Sequence, residues 1–153
     1  MARPTEADPA CTIKRTLCFL MSRSQRLLNQ QLEVVFQQVG LNVPQYVALR
    51  LILEGHAKVP SEIAKTLGLD TGGATRLVDQ LEERGLLVRK REAEDRRLVS
   101  LAVTPEGLER AKTAQAISDE YLDGLLETLP PSERQGFIGN LERLVHRLEA
   151  GSS

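Results

Sequence analysis

The chain has 153 residues, of which 41% are hydrophobic and 3% aromatic, and its formal net charge at pH 7 is −1. This length suits a single domain, or one small domain with extensions that dimerise. No stretch is long and apolar enough to span a bilayer, and the first ten residues lack the apolar core of an export signal, so a cytoplasmic protein is expected. The near-neutral charge excludes a uniformly basic protein, and any basic surface must be a local patch.

The two cysteines and two histidines give no sign of catalytic or metal chemistry. Cys11 and Cys18 are too few for a disulfide scaffold and have no neighbouring metal ligands, which fits a reducing compartment. His56 and His146 lie far apart and outside any catalytic motif. The sequence also lacks a Gly-rich phosphate loop and a nucleophile elbow. We therefore expect neither an enzyme nor a metal or cofactor site.

The N-terminal part of the chain predicts two helices. Residues 1–10 contain two prolines and are expected to be mobile. Apolar residues recur with helical spacing from Cys11 to Val39, which predicts one long helix that ends at Gly40. Asn42 can cap a second helix, with Pro44 tolerated in its first turn. This second helix is apolar nearly all round, so we expect it to be buried.

A pair of short helices follows. The first begins at Ser61 and is closed by Gly68, and Asp70 is placed to cap the second by accepting backbone N–H groups. The second helix has one apolar face, made of Ala74, Leu77, Val78 and Leu81. Gly85 is expected to end it.

The next segment predicts a β-hairpin. Residues 86–91 and 98–103 read as two paired strands, and Lys58 with Val59 could add a short edge strand. Two short helices followed by a hairpin make a winged helix-turn-helix, which we assign to residues 42–103. The fold class is therefore mainly α with a small β-hairpin wing.

The C-terminal part predicts two further helices. Thr104 and Pro105 form a strong helix start, and helical spacing continues to Leu129, where two prolines interrupt it. Ser132 is expected to cap the last helix. The helices of residues 11–39 and 104–149 are amphipathic and are not needed by the winged core, so they could pack against a second copy of the chain. A bundle within one monomer is the alternative.

The second short helix and the hairpin together offer a surface suited to DNA. A helix N-terminus presents unpaired N–H groups and positive partial charge, and side chains on its exposed face can reach base edges. Between Arg84 and Arg97, six basic residues outnumber three acidic ones. The candidate DNA-contacting residues are Ser61, Thr71, Gly72, Gly73, Thr75, Arg76, Gln80, Arg89, Lys90, Arg91, Arg96 and Arg97.

Five motifs in this region resemble the MarR family of transcriptional regulators. They are the SEIA helix, the LGLD turn and cap, the TRLVDQLEERGLL helix, the EDRR wing tip and the TPEG helix start. With its flanking helices, the resemblance covers nearly the whole chain. It implies a homodimer whose dimerisation region consists of residues 11–39 and 104–149. It also implies that this dimer binds double-stranded DNA at a pseudo-palindrome with half-sites about one helical turn apart. The Gly72-Gly73 pair departs from the family pattern and carries no side-chain readout.

The resemblance also implies roles at the wing tip. Arg97 would enter the minor groove, Arg96 would contact phosphate and Asp95 would orient a neighbouring arginine. A solvated charged turn is the alternative for this run of residues.

A switch is the last feature implied by the resemblance. The motif LCFLMSRS is similar to the peroxide-sensing OhrR branch of the family, which makes Cys18 a redox candidate. The tyrosines of that branch, however, correspond here to Ser22, Leu32 and Val43. The rival switch is a small aromatic or organic acid bound by Cys18, Ser22, Arg26, Tyr46 and Arg50. Both arginines could instead form surface or dimer salt bridges, and a winged helix can also serve as a protein-interaction module without DNA.

Overall fold

The computed structural model describes residues 9–91 and 99–151, which contain six helices and one antiparallel hairpin. In chain order the elements are α1 (Pro9–Gln37), α2 (Val43–Leu53), α3 (Pro60–Leu67), α4 (Thr71–Glu83), β1 (Leu87–Arg91), β2 (Val99–Val103), α5 (Pro105–Leu126) and α6 (Pro131–Ala150). The mainly α fold with a small hairpin is thus confirmed. Within the described ranges, no helix is long and apolar enough to cross a membrane.

The chain divides into two compact units between Ala114 and Gln115, inside α5. The first unit contains α1 to β2 and the start of α5, and the second contains the rest of α5 with α6. The core of the first unit is mostly aliphatic. Its largest fully buried side chains are Phe36, Leu49, Ile63, Val78, Leu81, Leu86 and Leu87. The predicted apolar face of α4 is confirmed, because all four of its residues are buried.

The helix ends follow the local signals in the sequence. Asn42 and Gln45 form a capping box at α2, and the Asp70 carboxylate accepts the Gly73 N–H at 2.6 Å at α4. Thr104 accepts the Gly107 N–H at 3.1 Å at the start of α5. The glycines that follow α3 and α4, Gly68 and Gly85, have φ of 65° and 69°. Only glycine adopts this left-handed backbone without strain, which explains why these helices end there.

Three local expectations were wrong. Only one face of α2 is buried and Leu53 is exposed, since the core contacts this helix from one side. Lys58 and Val59 form no strand, although the Lys58 carbonyl accepts the Leu101 N–H at 2.8 Å. The last helix begins at Pro131 after the cap residue Pro130, so Ser132 lies within its first turn. Helix α1 begins at Pro9, and residues 1–8 lie outside the described part of the chain.

A polar bridge connects the corner between α1 and α2 to the end of α4. Glu33 on α1 accepts the Val43 N–H at 3.0 Å. The buried Gln45 uses its Oε1 atom twice, accepting the Asn42 N–H at 3.2 Å and the Arg84 Nη1–H at 2.9 Å. Arg84 also donates to the Gly40 carbonyl. The bridge holds the C-terminal end of α4 while its N-terminal end stays at the surface.

Candidate nucleic-acid interface

The N-terminal turn of α4 is exposed. Thr71 and Gly72 are exposed, and Asp70 uses one carboxylate oxygen for the Gly73 N–H. A Cβ added to Gly73 would lie 2.9 Å from that oxygen, whereas one added to Gly72 would meet it only at 3.7 Å. Gly73 therefore lies close against the cap, while Gly72 leaves backbone open to an approaching partner.

The exposed face of α4 includes an arginine that bonds none of the described residues. Thr75, Arg76 and Gln80 are all exposed, and the Thr75 hydroxyl donates to the Thr71 carbonyl at 2.8 Å. Among the residues that the structure describes, Arg76 has no ion-pair or hydrogen-bond partner. Its guanidinium is thus available to a phosphate or a guanine edge. Ser61 is likewise exposed, in the first turn of α3.

Arg89 has two carboxylate partners on α4. Its Nη2 donates to Asp79 Oδ1 at 2.6 Å, its Nη1 pairs with Glu82, and its backbone N–H donates to Glu82 Oε1 at 3.1 Å. The hydrogen bond to Asp79, and then that to Glu82, raise the pKa of Arg89 above its ordinary value. Arg89 is thus engaged within the protein, and sequence spacing could not reveal this because its partners lie on another element.

Two further basic residues of the wing, Lys90 and Arg91, lie on β1. Lys90 is exposed on β1 and pairs in register with Ser100 on β2. Arg91 is the last residue of β1. Asp95, Arg96 and Arg97 lie outside the described residues.

The turn before α3 contains a carboxylate that serves the backbone. Glu62 accepts the N–H groups of Lys58 and Val59 at 2.5 and 3.2 Å. These hydrogen bonds favour the ionised form and lower the pKa of Glu62. The Glu62 carboxylate therefore fixes the backbone of Lys58 and Val59, which leads into α3.

The predicted effector residues fall into two groups. Ser22 and Arg26 line an open hollow of about 490 Å³ whose walls come from α1 alone. Tyr46 stacks on Phe36 with ring centroids 4.4 Å apart, and its hydroxyl accepts from Arg50 at 3.0 Å. Arg50 also pairs with Glu54, as the surface salt-bridge alternative predicted for it.

Cys18 lies on α1 as an exposed free cysteine. Within a single chain it is therefore not part of the core, which is the commonest place for a lone buried cysteine.

Known proteins with similar sequences and structures are transcriptional regulators. A family model described as "MarR family" matches residues 39–98. A MarR-family transcriptional regulator from Rhodococcus sp. RHA1 is 30% identical, with a TM-score of 0.74 and coverage of 86% of this chain and 94% of that chain. CouR from Rhodococcus jostii RHA1, solved with p-coumaroyl-CoA bound, is 32% identical, with a TM-score of 0.72 and coverage of 84% and 90%.

A further relative comes from Bacillus subtilis (strain 168). Its organic hydroperoxide resistance transcriptional regulator is 33% identical over 95 residues, which are 62% of this chain and 65% of that regulator. The match therefore spans slightly less than two thirds of the length of that relative.

Proposed function

Because the chain belongs to the MarR family of transcriptional regulators, we propose that it is a homodimeric repressor whose operator affinity falls when a small aromatic or organic acid binds. The DNA-binding part rests on the exposed start of α4, where Arg76 lies on the exposed face within the first two turns and bonds none of the described residues. A polyanion matches both the charge and the hydrogen-bonding groups of this surface.

In the proposed complex, α4 enters the major groove. Arg76 and Gln80 would contact base edges, Thr71 and Thr75 would contact phosphates or thymine methyl groups, and Ser61 would bind the backbone from α3. The wing residues Lys90, Arg91, Arg96 and Arg97 would lie along the adjacent minor groove, with Asp95 orienting one of the arginines. Two such units on a dimer fit a pseudo-palindromic operator.

The proposed effector is an aromatic acid or its thioester. The hollow on α1 places Arg26 beside Ser22, which suits an anionic group of the effector. Because α1 alone lines the hollow, residues from another element would be needed to enclose the aromatic ring of the effector. CouR, at 32% identity, was solved with an aromatic acyl thioester bound, which supports this ligand class. The ligand would release DNA by favouring a dimer in which the two α4 helices have a spacing that does not match the operator. A 100-fold preference of the ligand for that state over the DNA-binding state is worth about 2.7 kcal/mol.

A redox switch is the second candidate. Cys18 is exposed, and the relative from Bacillus subtilis is named for organic hydroperoxide resistance. An accessible thiol can be oxidised to a sulfenic acid, which would change the surface of α1. Against it, the tyrosines expected around a sensing thiol are replaced at Ser22, Leu32 and Val43.

The test is fluorescence anisotropy with duplex DNA from upstream of the protein's own gene, across a salt series. We expect tight binding that weakens steeply with salt. Each point is repeated with p-coumarate, p-coumaroyl-CoA and cumene hydroperoxide, using wild type, Arg26→Ala and Cys18→Ser. Release by an acid that Arg26→Ala abolishes supports the ligand, whereas release by peroxide that Cys18→Ser abolishes supports the redox switch.

A negative result has a defined meaning. If neither the upstream region nor any sequence from a random-operator selection binds, the repressor proposal is wrong. A winged-helix module that binds proteins would then be the better interpretation.

A further inference from the structure

We propose that Asp79, Glu82 and Arg89 form a clamp that sets the orientation of the wing against α4, which makes Arg89 a positioning residue for operator binding and not a DNA contact. The inference rests on the proposed function, because it concerns how the DNA-reading surface is assembled. We refer to these three residues as the clamp.

The strand geometry directs Arg89 towards α4. Side chains alternate along β1: Leu87 is buried, Val88 is exposed, Arg89 is partly buried and Lys90 is exposed. Arg89 therefore shares the inward face with Leu87, while Lys90 points away from it. On α4, Asp79 and Glu82 are three positions apart, which places both carboxylates on the flank that meets β1.

The guanidinium of Arg89 spans the two carboxylates. Separate nitrogens bond Asp79 and Glu82, and the Glu82 carboxylate also accepts the Arg89 backbone N–H at 3.1 Å. The same carboxylate thus holds both the side chain and the main chain of one strand residue. A planar fork suits this arrangement, and a lysine ammonium could not reproduce it with the same geometry.

The clamp is too exposed to be a major source of stability. The side chains of Arg89, Asp79 and Glu82 are 30%, 46% and 36% exposed, and solvent weakens ion pairs at such positions. A two-stranded hairpin, however, has little stability of its own. Besides the packing of its buried leucines, polar contacts join the hairpin to neighbouring segments of the chain. Among them are the hydrogen bond from the Leu101 N–H to the Lys58 carbonyl and the clamp to α4. The effect expected of the clamp is therefore geometric.

The clamp and simple charge repulsion predict opposite effects on operator affinity when the Asp79 charge is removed. Asp79 lies three positions after Arg76 on α4, close to the proposed DNA surface. Removing a negative charge there should strengthen binding to a polyanion if the carboxylate only repels phosphates. If the carboxylate instead holds the wing through Arg89, removing it should weaken binding.

The experiment measures operator affinity by anisotropy for Asp79→Asn, Arg89→Ala and Arg89→Lys. Glu83→Gln is the matched control, because Glu83 is an exposed acid on the same helix that bonds none of the described residues. We expect Asp79→Asn and Arg89→Ala each to weaken binding roughly tenfold and Arg89→Lys to lie between them and wild type. Glu83→Gln should bind as tightly as wild type or more tightly. The double variant Asp79→Asn with Arg89→Ala should lose about the same tenfold as either single variant, because both break one network.

A DNA-free measurement separates the clamp from the proposed function. Amide hydrogen exchange of the hairpin should accelerate in Asp79→Asn and Arg89→Ala, while α4 keeps its protection. If wild type binds DNA but Asp79→Asn behaves like Glu83→Gln, or if the hairpin exchanges at the wild-type rate in both clamp variants, the clamp is refuted. A loss of affinity confined to Arg89→Ala would make Arg89 a direct DNA contact. If wild type binds no DNA, the repressor proposal fails, and faster hairpin exchange would still support the clamp as an internal contact.

Discussion

Arginine side chains in this protein have two distinct uses. Arg84 and Arg89 bond acceptors on other elements, namely Gln45 with the Gly40 carbonyl, and Asp79 with Glu82. Arg76 bonds no described residue and remains exposed on α4. Because a guanidinium that is already paired gains less from a phosphate, the unpaired arginine is the better DNA contact.

Replacing Arg76 by Ala should weaken operator binding and flatten its salt dependence. The loss of one phosphate contact reduces the slope of log K against log salt by about one, whereas loss of a base contact relaxes specificity instead. Anisotropy over a salt series with cognate and scrambled duplexes separates these outcomes. Arg143→Ala on α6 is the control and should change neither quantity. Wild-type affinity in Arg76→Ala would rule out the proposed contact.

The Glu62 carboxylate gives the protein a pH-dependent contribution to stability. Folding lowers the pKa of Glu62 from its ordinary value of 4.5, through hydrogen bonds from the backbone of Lys58 and Val59. The ionised form thus stabilises the fold above that pH, and the contribution disappears as the pH falls through the lowered pKa.

The variant Glu62→Gln tests this contribution, because a neutral amide mimics the protonated acid. Its melting temperature should lie below that of wild type at neutral pH, and the two should converge as the pH falls through the lowered pKa, which is below 4.5. Thermal melts across a pH series provide the measurement, with Glu83→Gln as a control that should show no such convergence. A constant difference at all pH values would mean that the effect of Glu62→Gln does not come from ionisation.

At the scale of elements, the start of α5 is packed against the entry to the hairpin. Thr104 donates its hydroxyl to the Gly85 carbonyl at 2.6 Å, and its backbone N–H donates to the Leu86 carbonyl at 3.1 Å. Gly107 lies directly over this junction: a Cβ added to it would be 2.0 Å from the Leu86 carbonyl oxygen. Such an overlap with backbone cannot be relieved by rotating a side chain.

Two glycines of α5 should therefore respond in opposite ways to replacement by Ala. Gly107→Ala should lower the free energy of unfolding by about 2 kcal/mol or more, because helix and hairpin must separate. Gly124→Ala, where no described atom lies within 4 Å of the added Cβ, should raise it by up to about 1 kcal/mol through the lower entropy of the unfolded chain. Urea denaturation at one protein concentration measures both, and equal effects would contradict the packing argument.

At the scale of the whole molecule, two helices expose many large apolar side chains. On α1, Leu17, Phe19 and Leu20 are 44%, 60% and 52% exposed, and on α6, Phe137 and Val145 are 45% and 51% exposed. Soluble monomers rarely leave such rows uncovered, so these faces support the proposed homodimer. The proposed dimer would also strengthen operator binding, since two linked DNA-binding units bind far more tightly than one.

Introducing a charge on either face should dissociate the proposed dimer. We expect Leu20→Glu and Val145→Glu to sediment as monomers and to lose most operator affinity, because a carboxylate cannot be buried in an apolar interface without a partner. Gln31→Glu, an equal charge change at an exposed polar position of α1, should remain dimeric. Wild-type protein that sediments as a monomer at micromolar concentration would contradict the homodimer.

The features that depend on short sequence separations were predictable. Residues within one or two helical turns determine the caps and the end of a helix. This holds for the caps at Asn42, Asp70 and Thr104, for the end of α4 at Gly85 and for the buried face of α4. The exposed positions of Thr75 and Arg76 follow from the same periodicity. For the candidate site, this was enough to identify α4 as the helix proposed to face DNA, with Arg76 on its exposed side.

Only the tertiary structure decided which side chains are already engaged and which faces stay open. The bond from Arg84 to Gln45 joins residues 39 positions apart, and the pairing of Arg89 with Asp79 depends on the angle between a strand and a helix. The requirement for glycine at position 107 and the exposure of Leu53 on an apolar helix have the same origin. Local spacing determines the face on which a side chain lies, whereas its partner is determined by the packing of elements that are distant in sequence. The sequence alone therefore determined which face of α4 is buried, and only the fold revealed that Arg89 on β1 bonds Asp79 and Glu82 on that helix.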